Sequence, residues 1–573
     1  VGSEMCIRDS SITATLCYPD SSRHLTGFNP MIYPDLHLIY TVNVESKGKN
    51  IEVTVDLDRP IPQEFIGKVG FNLEFFPGSL FGKPWIMDGQ SGIFPQQPNS
   101  PLMTTQPNYL HTGNYHDGKK SLADMNKLIG KGYSPIVADD IISEPYAKGT
   151  KFTSRPDDPY NKVTIESLSG DLQLFDGRMN HNNGWFVLRS NIKPGVTKGA
   201  VKWIITPNVV ADWMYQPVIQ TSQIGYHPTQ DKEAVIEMDI RDNRKETAQI
   251  IRIDADGEKV VKNVTPANWG KFLRYNYLKV NFTDVKEPGL YKIKYNTSVS
   301  PIFRIDNDVY ARGVWQPVLE YFLPVQMCHM RVNEKYRVWH DCCHMDDAQM
   351  APAHNHIDGY DQKEGLSKFK PGEVVPGVNI GGWHDAGDFD LRIESQAGES
   401  YILALAYEAF HPNLDVTSID QINRVTEIHQ PDGKNDLLQQ VENGALTVVN
   451  GYLALGRLYR GIICNDLRQY VLLGDAAAMT DGKIGNEDDR WIFTEDNPGR
   501  ELSTAAQLAA VSRVLKGFND TLSVHCLDIA RKVYASTGNG NNRALFPKVQ
   551  AAVELYLTTG CLLYTSPSPR DRT

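Results

Sequence analysis

Cysteine is scarce in this chain, eight residues in 573, too few for a disulfide-stapled scaffold. Long apolar runs are missing, so no stretch reads as a membrane-spanning helix. Positive charge is in deficit, with 58 Lys and Arg against 69 Asp and Glu and a net charge of −11. That balance argues against a basic nucleic-acid surface and suits a neutral polysaccharide partner. The His-Glu-x-x-His pattern of common zinc proteases does not occur. No secretory leader is visible, and Val1 does not read as a natural start. What is present is 41% hydrophobic and 22% charged, the makeup of ordinary globular domains, with length for three or four of them.

Both ends read as foreign. Codons can be chosen so that most of Val1 to Ser10 is the reverse complement of a stretch encoding Cys561 to Asp571, as in translated sequencing adapter. Residues 1–10 and 561–573 are therefore set aside as non-native tails. The natural piece is then expected to be a fragment, 11–560.

Residues 11–215 are expected to form a β-rich, sandwich-like accessory domain. Leu36 to Val44, Ile51 to Leu57, Val69 to Phe76, Gly184 to Leu188 and Val201 to Ile205 are β-branched and aromatic, the second alternating. Between them, Gly82 to Tyr160 reads as a long irregular loop. Trp85, Tyr109, Tyr115 and Trp185 could stack on sugar rings or serve simply as core. Residues 216–306 form a second β unit with frequent turn signals, including Ala234 to Met238 and Leu290 to Lys294 as strands. Asp254-Ala255-Asp256-Gly257 lacks the closing acid of a calcium loop and reads as a hairpin turn.

From residue 307 the period becomes helical. Helices are expected over Val314 to Met327, 391–410, 436–460, 500–516, 521–535 and 547–557, an all-α arrangement. Trp339-His340-Asp341-Cys342-Cys343-His344 crowds potential metal ligands together, with Cys328, His329, His354, His356 and His384 nearby in sequence. Two thiolates and two imidazoles suit tetrahedral zinc with no open position. Spacing alone does not choose among these residues.

The most informative stretch is Gly381-Gly382-Trp383-His384-Asp385-Ala386-Gly387-Asp388. Asp385 and Asp388 are three apart, so in a first helical turn their carboxylates would share a face. Paired carboxylates can hold and deprotonate water, as hydrolysis of an acetal requires. The plainer alternative is helix capping.

This octapeptide resembles the signature of glycoside hydrolase family 9, the inverting cellulases and their relatives, and the resemblance extends from about Gln216 to Gly560. Thr221 to Pro228 resembles the immunoglobulin-like domain that precedes many catalytic domains of that family. The resemblance implies an (α/α)6 barrel over 307–560, truncated about half-way, with Asp388 as catalytic base and Asp385 helping to position the water. It implies a structural Zn2+ held by Cys328, Cys343, His344 and His384, and a polysaccharide or oligosaccharide substrate such as cellulose. Trp491 lies where cleft aromatics are common in the family. Asp346-Asp347 matches an acidic pair of the family but is given no role.

The family's general acid is a Glu far toward the C-terminus, beyond Gly560, and Glu554 does not match its motif. The fragment alone is thus expected to be a poor catalyst. After Asp388, Phe389-Asp390-Leu391-Arg392 departs from the usual Tyr-Gly-Lys, and the 350–379 loop is long. Both leave room for an exo-acting β-glycosidase or glucosaminidase, and a non-catalytic glycan-binding protein is a further alternative. A secreted, periplasmic or cell-surface location is expected.

Overall fold

The computed structural model describes residues 3–8, 10–18, 37–67, 69–99, 144–179, 184–353, 360–385, 389–464, 483–484, 489–537 and 542–564. The chain divides into two compact units, 210–319 and the remainder, 1–209 together with 320–573.

Period-two alternation builds the N-terminal layers. In the strand Asn50–Leu57, Val53, Val55 and Leu57 are buried while the residues between them are less so. This strand is the fourth in a nine-stranded antiparallel sheet and pairs with Leu38–Lys47 on one side and Val201–Pro207 on the other. A four-stranded sheet, ordered Gly70–Phe75, Phe186–Asn191, Leu172–Asp176, Ala147–Gly149, shares its apolar core with the first. Phe152, Leu174, Phe186 and Trp203 form the centre of that sandwich.

The stretch expected to be loop carries strands at its ends. Pro84–Met87, Gln90–Ile93, Ala147–Gly149 and Lys151–Ser154 all pair. They are too short, and too closely bounded by Pro and Gly, to show a period of their own. Trp85 is core, with its ring over Gly92, which decides between the two readings open to it in the sequence. Trp185 is partly exposed beside Phe76, centroids 5.7 Å apart. Tyr109 and Tyr115 lie outside the described residues.

Unit 210–319 is a second sandwich. One sheet runs Val218–Gln220, Glu233–Asp239, Tyr275–Asn281, Ala267–Phe272; the other contains Gly257–Val264, Ala248–Asp254 and Gly289–Tyr295. Ile236, Met238, Ile250, Leu278, Val280 and Ile293 fill the space between them. Asp254 pairs with Gly257, so Ala255 and Asp256 do form a hairpin turn.

The remaining part is mainly helical: α1 (Ile393–Phe410), α2 (Asp436–Leu455), α3 (Pro498–Leu515), α4 (Asp520–Ser536) and α5 (Asn542–Thr559). Asn caps three of them. Asn435 accepts from Leu437 and Leu438 N–H, Asn497 from Arg500, and Asn519 from Leu522. Helix α3 is buried nearly all round, and Ala505, Ala506, Ala509 and Ala510 allow its neighbours close approach. Helix α5 begins five residues earlier than expected, with Pro547 inside it.

The purely α expectation is corrected by two small sheets. One orders Arg337–His340, Arg331–Glu334, Val425–Ile428, Thr417–Asp420; the other orders Gln349–Met350, Arg490–Phe493, Gly461–Cys464, Leu391–Arg392. Strands of two to four residues cannot display alternation, yet they position the site. The second sheet sets Arg490 opposite Cys464, and Leu391 opposite Ile462, drawing the residues around 349, 389 and 490 together.

Candidate functional site

The Gly-Gly-Trp-His-Asp segment is a loop clasped from two sides. Gly381 and Gly382 have φ of +76° and +88°, a region a Cβ disfavours. A Cβ on Gly381 would also stand 2.5 Å from the Asn443 carbonyl oxygen. The Gly382 N–H donates to Asn443 O at 3.0 Å, and the Asn443 side-chain amide donates back to Gly382 O at 3.1 Å. On the opposite side the N–H of Cys328 donates to Gly382 O at 2.9 Å, and that of His384 to Gln326 O at 2.7 Å. Trp383 is buried; Gln396 bonds its backbone on both sides, and its indole N–H donates to Gln440 at 2.8 Å.

This clasp delivers His384 to the cysteine–histidine cluster. Cys328, Cys343, His344 and His384 are all buried, each offering one ligand atom within 4.8 Å of the others. The Cys328 and Cys343 sulfurs are 3.8 Å apart, Cys328 Sγ is 3.7 Å from His344 Nδ1, and Cys343 Sγ is 3.4 Å from His384 Nε2. A disulfide is excluded, since it needs about 2.05 Å. Bonds of about 2.3 Å to sulfur and about 2.0–2.1 Å to nitrogen at tetrahedral angles give edges of about 3.8 Å between sulfurs and about 3.6 Å from sulfur to nitrogen. The four side chains thus match a tetrahedral ion in size and donor type, and they could hold a metal.

The competing ligands are engaged elsewhere. His340 has both nitrogens on backbone carbonyls, of Asp341 at 2.9 Å and Val325 at 3.1 Å. His329 donates to Gly381 O at 3.0 Å and to Asp347 at 2.8 Å. Cys342 points to the Arg424 carbonyl at 3.8 Å. His354 and His356 lie outside the described residues.

Electrostatics favour the donor state at Cys328, His344 and His384 and the protonated thiol at Cys343. Burial opposes ionisation of Cys328, but the Cys343 hydrogen bond and the Arg490 charge hold its thiol well below the ordinary range. Burial and the neighbouring Cys328 push Cys343 up. Burial lowers His384 to about 4 and also lowers His344, so both imidazoles are neutral and keep a lone pair. His329 is the opposite case. Burial disfavours its charge, yet Cys328 and Asp347 raise it to about 9. His344 and His329 also sit at φ of +50° and +61°, strained positions that the surrounding contacts must maintain.

Asp385 is half-buried in the loop, eight residues before the first residue of α1. The helical-face argument for its spacing therefore does not apply to it. Its N–H donates to Asp390 O at 3.2 Å, and its carboxylate is 3.4 Å from Arg392 Nε. Asp388 lies outside the described residues. Trp491 is half-buried at the edge of the core, 6.4 Å from Phe493 between ring centroids. Glu554 is bound by Tyr401 at 2.8 Å and Arg513 at 3.1 Å, a structural tie.

Sequence reasoning missed Asp347 and Arg490. Both are fully buried, and the Arg490 guanidinium reaches Asp347 through Nε at 3.1 Å and Cys328 Sγ at 3.2 Å. The matching acidic pair at 346–347 was the one available signal.

A helical domain carrying this centre, in a chain with a β-sandwich of immunoglobulin size ahead of it, defines a recognisable class. Residues 214–300 match the cellulase N-terminal ig-like domain, and residues 318–564 match glycosyl hydrolase family 9. The helical part of the chain, residues 318–564, is thus a glycoside hydrolase family 9 domain. It is 25% identical over 367 residues to a xyloglucan-specific endo-beta-1,4-glucanase of Bacteroides ovatus, covering 60% of this chain and 58% of that one. Among solved structures it resembles a thermostable endoglucanase of Alicyclobacillus acidocaldarius (19% identity, TM-score 0.41, 61% of this chain and 60% of the other). It also resembles the family 9 endoglucanase J30 (20% identity, TM-score 0.43, 59% and 61%). The chain therefore spans about three-fifths of the length of these relatives.

Proposed function

We propose that the chain is the N-terminal part of an inverting glycoside hydrolase that cuts internal β-glycosidic bonds of a plant-type β-glucan. Asp388 is the base that deprotonates the attacking water, and Asp385 steadies that water. The observation that carries this reading is the clasped Gly381–Asp385 segment. Its backbone is fixed by Asn443, Gln326 and Cys328, so Asp385 is presented from a rigid support. The Arg392 side chain beside Asp385 limits the directions its carboxylate can take. Inversion requires the general acid to stand across the sugar, about 6.5–9.5 Å from the base. Glu554, held by Arg513 and Tyr401, is not offered for that role.

The cluster of Cys328, Cys343, His344 and His384 holds a structural Zn2+. With four protein ligands the ion supplies no open position, so its contribution is to fix the loop through His384. An (α/α)6 barrel fits the apolar outer face of α5, where Leu545, Phe546, Val549, Val553 and Leu557 are exposed and call for further helices to cover them. Trp491 contributes a stacking face to the cleft. A polymeric substrate cannot enter a cell intact, which favours a secreted, periplasmic or cell-surface location.

Viscometry on a soluble β-glucan with the full-length gene product tests the reading. A rapid fall in viscosity with few reducing ends released, and the α-anomer as first product, is expected. Slow viscosity loss with steady release of end units would overturn internal cutting, and a β-anomer would overturn inversion.

A further inference from the structure

Three buried ionic side chains meet beneath the carboxylate loop without being metal ligands or catalytic groups. His329 donates from Nδ1 to the carbonyl of Gly381 at 3.0 Å and from Nε2 to Asp347 Oδ2 at 2.8 Å. Asp347 in turn accepts from Arg490, whose Nε lies 3.1 Å from each carboxylate oxygen. Arg490 donates through a terminal nitrogen to the carbonyl of Phe389. Gly381 and Phe389 are the first residue of the signature octapeptide and the residue just after it. Gly381 and Phe389 are therefore tied to one carboxylate through two side chains, His329 and Arg490. All three side chains are at most 5% exposed, so water does not compete for these bonds.

The same guanidinium also reaches the metal cluster. Its other terminal nitrogen lies 3.2 Å from Cys328 Sγ. A guanidinium is planar and rigid, with donors at fixed angles. Holding Asp347, Cys328 and the Phe389 carbonyl at once fixes all three relative to one another, which a lysine ammonium cannot reproduce.

We propose that His329, Asp347 and Arg490 form a positioning staple that ties Gly381 to Phe389 and links Phe389 to the Cys328 sulfur. The metal-ligand set holds the Gly381–Asp385 segment through His384; the staple holds Gly381 and Phe389. Arg490 is the member common to both devices. The inference rests on the reading of Asp385 and Asp388 as the water-activating pair for its consequence, but not for its test.

The test uses the whole chain, with hydrogen exchange of the 381–390 segment and metal titration as readouts. Arg490→Met removes every donor; Arg490→Lys keeps the charge opposite Asp347 but cannot span all three acceptors. In both variants exchange in 381–390 is expected to rise at least about tenfold while α2 and α3 keep wild-type protection, a local pattern that general destabilisation does not give. Zinc affinity is expected to fall about 10–100-fold in Arg490→Met, the usual effect of losing an outer-shell partner. The sulfur-to-metal absorption of the Co2+-loaded protein is expected to shift in Arg490→Lys. Arg490→Lys is the deciding variant if Arg490→Met does not fold. Wild-type exchange in 381–390 together with an unshifted cobalt spectrum in Arg490→Lys would overturn the staple. If the wild-type chain takes up neither Zn2+ nor Co2+, the metal reading and the link to Cys328 fail, while the exchange measurement still decides whether the loop is stapled.

Discussion

The outer edge of the Trp383 indole occupies the space in which a Cβ on residue 444 would stand, and Gly444 is what lets helix α2 pass this close to the loop. Trp383 cannot retreat, because its indole N–H is bonded to Gln440 on the same helix and its backbone to Gln396 on α1. Gly444→Ala is therefore expected to destabilise the domain by about 1–3 kcal/mol through overpacking, despite alanine's better helix propensity. Urea denaturation checks it. A gain in stability would mean that the ring has room to move.

Metal content offers a second prediction. The chain is expected to bind one equivalent of Zn2+, and Cys343→Ser or His384→Ala to reduce the bound metal to trace levels, measured by elemental analysis after desalting. An ion bound only by the native state adds about 4 kcal/mol at a thousandfold excess over Kd. Chelation should accordingly lower the unfolding temperature of the wild type and leave that of His384→Ala unchanged.

Asp436, at the start of α2, gives a pH prediction. Burial, aided by Asp415 and Asp432, outweighs the N–H groups of Val416 and Thr417 and pushes it up to about 7. Its unfolded value is about 4. Between those values the native state holds more protons than the unfolded one, so the contribution of this group is complete below about pH 4 and is lost as pH rises through about 7. Asp436→Asn, which does not titrate, is expected to flatten the fall in stability over that window. An unchanged pH profile would show that the carboxylate titrates normally.

How legible the protein was in its sequence depended on range. The strand Asn50–Leu57 and the Asp254–Gly257 hairpin were readable because alternation and turn residues are local signals. The helices were readable from their period, though Pro547 masked the start of α5 because proline ordinarily marks a boundary. The four clustered ligands emerged only through family resemblance. Spacing left His329 and His340 as equal candidates, and their bonds to Gly381, Asp347 and Val325 are tertiary facts. Asp347 and Arg490 are 143 residues apart and meet only because a two-residue strand at Gln349 pairs with the Arg490 strand. No periodicity announces such a pairing. Trp85 stayed open between core and sugar platform for a related reason, since an aromatic residue in a Pro/Gly-rich stretch looks the same whether or not a sheet covers it.

Glu408 and Glu554 both bind Arg513, joining α1, α3 and α5. Arg513→Met strips the cation from the buried Glu554 and the partly exposed Glu408 and is expected to cost about 2–4 kcal/mol of stability, read by urea denaturation. A neutral result would mean that the three helices repack without the cation.

The role of residue 388 is tested most directly in the full-length gene product by Asp388→Asn, with hydrolysis of a soluble β-glucan and binding of the same glucan measured side by side. Loss of a general base is expected to lower kcat by about 10²–10⁴-fold while glucan binding is retained. Turnover at the wild-type rate with Asn at 388 would contradict the account.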